Sequence, residues 1–237
     1  MSSTIPAPKL VGVFLGAGPD KFYEWVVWRQ FGMMAFCFAA IVIGAGSYGA
    51  VVGCWRDPQQ ALYTGIKLPL VMLLTTAGNG LLNGMLAPLL GLNITFRQSF
   101  AVVLMSFAIT SLVLGGLSPV ALFIVWNTPP LSAGTTLISP EYAVMQLMLA
   151  AFVALAGIIG NVRLLPLLRQ WAGTPGVGLK VLLAWLAGNL FLGSQISWVL
   201  RPFIWEANRP VAFVGRECFK GSFFETVFNA VCRLIFS

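Results

Sequence analysis

Apolar residues along this chain come in five runs, each long enough to cross a hydrocarbon core of about 30 Å at 1.5 Å rise per residue. They cover residues 32–52, 68–90, 99–125, 142–162 and 181–200. Neither the period of two expected of strands nor a soluble helix's alternation of faces interrupts them. The pattern predicts an all-α, polytopic transmembrane helix bundle. Tryptophans punctuate the run ends: Trp28 and Trp55 flank the first, Trp126 ends the third, and Trp171 and Trp205 bracket the fifth. That placement predicts an aromatic belt at the headgroup level.

Two shorter stretches are amphipathic instead. Residues 21–31 mix aromatics with Lys21, Glu24 and Arg29. Residues 220–236 put Phe224, Val227, Phe228 and Val231 on one helical face, with Glu225, Asn229 and Arg233 opposite; Ser222 and Glu225 form a capping-box pair that starts this helix. Both are expected in the interface rather than across it. The chain divides into an N-terminal segment (1–31), a five-helix membrane domain (32–200) and a tail (201–237).

Composition agrees with a lipid solvent: 58% of residues are hydrophobic and only 9% charged, against about 25% charged in soluble domains. The net charge of +7 does not indicate nucleic acid, because the basic residues sit singly at run ends as interfacial anchors. Lys9, Lys21, Arg29, Arg97, Arg163, Arg169 and Lys180 fall on one side of the membrane. Arg56 and Lys67, counted as one loop, and the basic tail fall on the other. The neutral segment 127–140 is expected outside, which gives a cytoplasmic N-terminus. Residues 1–19 contain Pro6, Pro8 and Pro19 and carry no cleavage-type signal, so the first run is expected to be retained as an anchor.

Candidate chemistry is sparse. No Asp, Glu or His lies well inside a run, and the chain has no histidine at all. Proton relays, Ser-His or Cys-His nucleophiles and His-ligated metals therefore lose their residues. There is no nucleotide-binding Gly-x-x-x-x-Gly-Lys loop, and Cys37, Cys54, Cys218 and Cys232 lack metal-type spacing. No enzyme activity, metal or other cofactor is expected. Pairing of Cys54 with Cys218 stays open.

What the runs do hold is amides and small residues. Asn79 and Asn83 are four apart in the second run, and Gly80 and Gly84 form a Gly-x-x-x-Gly beside them. Such residues serve helix packing, or line a polar site at a helix shortened by Pro69 and Pro88. Gly49 and Gly53 form a similar pair in the first run, and Pro119 predicts a kink in the third. In the fifth run Asn189, Gln195 and Ser197 fall on more than one face, which predicts a central helix whose amides are satisfied by its neighbours. Arg201 and Pro202 mark its exit from the membrane, and Trp205 returns the chain to the headgroups.

The stretch Gly193–Phe203 (GSQISWVLRPF), the tail sequence RPVAFVGRECFKGSFFETVFNAV and residues 63–75 (YTGIKLPLVMLLT) resemble a family of uncharacterised polytopic bacterial inner-membrane proteins. The resemblance runs from the first span to the tail. It implies a multi-pass protein of the bacterial cytoplasmic membrane and no assigned activity. The five-span plan is distantly similar to Yip-type membrane proteins, which act as adaptors, although their short N-terminal motif is missing here. The expected function is a non-catalytic scaffold, adaptor or accessory subunit, in contact with the lipid bilayer and with protein partners or further copies of itself. The alternative is a passive channel or small-solute permease that uses the intramembrane amides.

Overall fold

The structure is a computed structural model. It describes residues 30–92, 94–129, 140–172, 175–201, 203, 211–215 and 218–225, together with positions 12, 15, 16, 18, 20, 24 and 25. Five helical spans are long and apolar enough to cross a membrane, and the described residues outside them form only short helical pieces, turns and loops. The protein is a multi-pass, all-helical membrane protein.

The first span is α1 (Gln30–Ala40), a π-helical segment (Ile41–Ala45) and α2 (Gly46–Cys54). The second is α3 (Pro58–Leu89) and the third α4 (Phe96–Asn127). The fourth is α5 (Pro140–Val162), followed after a break by the short α6 (Leu165–Ala172); the fifth is α7 (Pro175–Val199). Local chemistry sets several of these ends. Thr95 accepts from the Gln98 backbone while the Gln98 side chain accepts from Thr95, a capping box that starts α4 three residues before the apolar run. Gly91, at φ +87°, closes the C-terminus of α3 in a conformation that side chains resist. Pro166 sits in the first turn of α6, where a missing N–H costs nothing.

Close backbone approach holds the first three spans together. A Cβ at Gly49 would meet the Thr64 carbonyl oxygen of α3 at 2.5 Å, and one at Gly53 would meet Ala61 Cα at 2.6 Å. The expected small-residue face of the first run is thus packed on α3. On the other side of the same span, Gly44 abuts the Ser111 backbone of α4 at the π segment.

Three expectations change. The helix of the second span begins at Pro58 rather than near residue 68, and both Pro69 and Pro88 lie inside it; neither shortens it. Lys67 is therefore a buried helical residue, not a loop anchor. The central helix is α4, not α7: 61% of the most apolar 18-residue stretch of the third span is buried, against 22% in the fifth. The reason is that the polar groups near the end of α7 are met by the tail, described below, rather than by helices on every side. Helix α4 contains Pro119, and the neighbouring Ser118 hydroxyl donates to the Leu114 carbonyl at 3.1 Å.

The outer surface is the apolar one. Ile43, Met85, Leu89, Phe123, Leu147 and Leu190 are all more than 60% exposed, which suits lipid and not water. Trp55 and Trp126 lie at the same end of the bundle and Trp171 at the other, as an aromatic belt requires. Trp28 and Trp205 lie outside the described residues, as do most of the two amphipathic stretches. Of the second, residues 223–225 are helical and the Ser222 hydroxyl caps the Glu225 N–H at 3.1 Å, as expected.

Candidate functional site: a buried polar stripe and a docked tail

Helix α3 buries a line of polar side chains along its length. Gln60, Thr64, Lys67, Thr75, Asn79 and Asn83 are all at most 3% exposed. Their separations of three, four or eight residues keep them on one slowly drifting face. In a lipid solvent such a face must meet protein. Its two halves meet very different things.

The first half, Gln60 to Lys67, binds the tail. Gln60 donates to the Thr64 hydroxyl at 3.1 Å and to the Phe203 carbonyl at 2.9 Å. The Lys67 ammonium donates to the Ala212 carbonyl at 3.4 Å and lies 5.4 Å from the centroids of both the Phe203 and Phe213 rings. Tyr63 meets Phe213 edge-on at 5.5 Å. Lys67 is well inside the bundle. Ser111, near the midpoint of α4, donates to Met72 Sδ, and Lys67 is five residues from Met72, about 7.5 Å along the axis. A cation at that depth needs compensating groups; a carbonyl and two aromatic faces supply some of that compensation.

The end of α7 binds the tail as well. The Arg201 guanidinium lies over the Trp198 ring at 3.9 Å and donates to the Trp198 carbonyl at 3.0 Å and the Lys220 carbonyl at 3.2 Å. Trp198 Nε1 donates to that same Lys220 carbonyl at 3.4 Å. Gln195 Oε1 accepts from the Phe223 N–H at 3.5 Å, and Phe191 stacks on Phe224 at 5.2 Å. The Gly215 N–H donates back to the Arg201 carbonyl at 3.0 Å, which closes the loop between them. The stretch Gly193–Phe203 is thus a dock for the tail.

The second half of the stripe, Thr75 to Asn83, lies against α7 and α4. Asn79 Nδ2 donates to the Trp185 carbonyl at 3.1 Å and to Asn189 Oδ1. Gly188 leaves the space for it: a Cβ there would press on the Asn79 amide. Gly80 and Gly84 face α4 instead, under the rings of Phe100 and Phe96. Beyond Asn79 the pairing stops. Both amide atoms of Asn83, Asn79 Oδ1, Thr75 Oγ1, Ser99 Oγ and Trp185 Nε1 are buried without a hydrogen-bond partner among the described residues. Each such group costs about 1–3 kcal/mol.

No protein-family model matches the chain, and no curated protein and no solved structure matches it either.

The residues singled out in the sequence therefore separate. Asn79 and Asn189 come together, with Asn83 one turn further along α3 and Gly80 and Gly84 on the adjoining face against α4; Gln195 and Arg201 belong to the dock. Ser197 joins neither and lines a cavity of about 190 Å³ between the first, second, fourth and fifth spans, with Tyr48, Thr64, Gln146 and Phe203. There the Tyr48 hydroxyl donates to the Leu149 carbonyl at 2.7 Å. Pro202 lies outside the described residues. Gln60, Thr64, Lys67 and Thr75 were missed in the sequence, although their spacing from Asn79 is the signal that finds them. Cys37, Cys54 and Cys218 are free thiols. Among the described residues no three His, Cys, Asp or Glu side chains gather to hold a metal ion.

Proposed function

We propose that the protein is a non-catalytic integral membrane scaffold or accessory subunit whose tail is the element offered to a partner. One observation carries this reading. The buried cation of α3 and three side chains at the end of α7, Gln195, Trp198 and Arg201, each hydrogen-bond to the tail backbone. A bundle that uses its interior charge in this way fixes a segment in place at the membrane surface. The held segment points apolar groups outward: Phe219 is 84% exposed, and Val214, Phe223 and Phe224 are also exposed.

The reading includes orientation. With Lys67 inside a helix, Arg56 is the only Lys or Arg in the loop between the first two spans, and the opposite side keeps the larger share of loop charge. That favours a cytoplasmic N-terminus and a docked tail on the outer face of a bacterial inner membrane. The resemblance of the GSQISWVLRPF stretch to polytopic inner-membrane proteins agrees with it.

The test is site-specific photo-crosslinking in cells from position 219 of the full chain. A discrete protein adduct is expected, and Arg201→Ala should abolish it without unfolding the bundle. If position 219 crosslinks only to lipid, or if the purified protein alone carries solutes across liposomes, the scaffold reading fails.

A further inference from the structure

The cavity beside Ser197 lies where four spans and the tail meet. Tyr48, Gly49 and Val52 line it from α2, and Thr64 and Leu68 from α3. On α5, Gln146, Leu149, Ala150 and Val153 share one helical face toward it. Phe203 lines it from the tail, with its carbonyl held by Gln60 and its ring facing the Lys67 ammonium. Val52 and Tyr48 precede Trp55 by three and seven residues, which puts the cavity about 4.5–10.5 Å below that belt tryptophan. This is the upper part of the acyl-chain layer. Tyr48 and Thr64 are its inner wall, at 2% and 3% exposure, and the Tyr48 hydroxyl braces it by donating to the Leu149 carbonyl. Ala150 and Val153 are exposed, like Leu147 on the same helix, so the cavity opens toward lipid.

We propose that this cavity binds one acyl chain of a phospholipid, which enters from the bilayer past Ala150 and Val153. The lining decides the class of occupant. None of its residues is charged, and most are apolar. Water does not fill such a space: an apolar cavity of about 150 Å³ stays dry yet takes up benzene. At about 190 Å³ this one has room for about six to eight carbons of a chain. Left empty, its walls would forfeit their dispersion contacts, and lipid chains are the apolar matter at its mouth. The polar residues of the lining, among them Gln146 and Ser197, are neutral donors that suit the ester carbonyl at the head of a chain. The inference uses the place of Phe203 but not the role of the tail toward a partner, so either can fail alone.

The test is photolabelling of the full chain in nanodiscs of a phosphatidylethanolamine that carries a diazirine in one acyl chain. Peptide mass spectrometry is expected to find adducts on the exposed Leu147 and also on Tyr48 and Thr64, which bulk lipid does not reach. Ala150→Phe puts a ring in the mouth. It is expected to fold, because the position faces lipid, and to lose the adducts on Tyr48 and Thr64 while keeping those on Leu147. Should that variant not fold, Val153→Phe obstructs the same mouth from the next turn. Labelling of the native chain confined to exposed residues would overturn the proposal, as would inner adducts that persist in a folded plug variant. Crosslinking from position 219 is a separate readout, so the scaffold reading stands or falls independently of these outcomes.

Discussion

The two halves of the polar face on α3 face the same problem and meet it differently. Near Gln60 and Lys67, the polar heads are met by backbone carbonyls and aromatic faces of a segment far away in sequence. Near Asn79 and Asn83, only one amide nitrogen is met, and it is met by a neighbouring helix. The contrast shows that a buried polar residue in lipid is not one kind of feature. Near the tail it fixes a distant segment of the chain, and against α7 it fixes a neighbouring helix.

Breaking the paired amide should have the largest effect on the bundle. Asn79→Leu removes the hydrogen bonds to the Trp185 carbonyl and to Asn189 and leaves the Asn189 amide without that donor. A loss of about 2 kcal/mol is expected, read as reversible unfolding in bicelles. A neutral result would mean that the α3–α7 contact rests on apolar packing alone.

The next effect is local to the dock. Lys67→Met keeps the aliphatic stem but loses the bond to Ala212 and the attraction of two phenyl rings. Global stability should change little, because the variant also escapes the cost of burying a charge. Tail docking should weaken by about 1–2 kcal/mol. In a background where Cys54 and Cys232 are serine, maleimide labelling of Cys218 should speed up about 10-fold, since 1.4 kcal/mol is a factor of ten. Unchanged labelling would mean that Lys67 does not hold the tail.

How far the sequence reaches differs between the halves for a physical reason. Span number and helical class follow from hydropathy, because lipid leaves the backbone no alternative to helices here. Asn79 and Asn83 stand out because an amide in a run of leucines is conspicuous. Lys67 did not, because a lysine two residues before a proline and twelve residues after Trp55 is what an interfacial loop looks like. Its depth is set by a tail that arrives some 145 residues later, and no window along the chain contains that contact. Gln195 was misjudged for the same reason: its partner is a tail N–H, 28 residues away and not on a helix of the bundle. The centrality of α4 was equally hidden, since it depends on small residues of other spans, Gly44 on α4 and Gly160 against Thr110.

A smaller effect tests geometry rather than charge. Arg201→Lys retains the cation but loses the planar stack on Trp198 and the fork that spans the Trp198 and Lys220 carbonyls. Docking should weaken by about 0.5–1 kcal/mol, visible as a two- to five-fold rise in Cys218 labelling by the relation above. Full retention would mean that charge alone holds the loop between Arg201 and Gly215.

The smallest effect is expected where the sequence suggested a large one. Gln195→Leu would be severe if this amide were locked between helices, since its partners would be stranded in lipid. Its observed bond to the Phe223 N–H is 3.5 Å long, and the side chain is only half-buried beside a tail that is itself exposed there. Water or headgroups can replace that contact, so the change should cost only a few tenths of a kcal/mol and leave Cys218 labelling within two-fold of the parent. A loss as large as that of Asn79→Leu would put Gln195 in the paired interior and erase the distinction between dock and bundle. A negligible loss alongside a large one for Asn79→Leu would locate the architectural amide on α3 and leave the end of α7 as the holder of the tail.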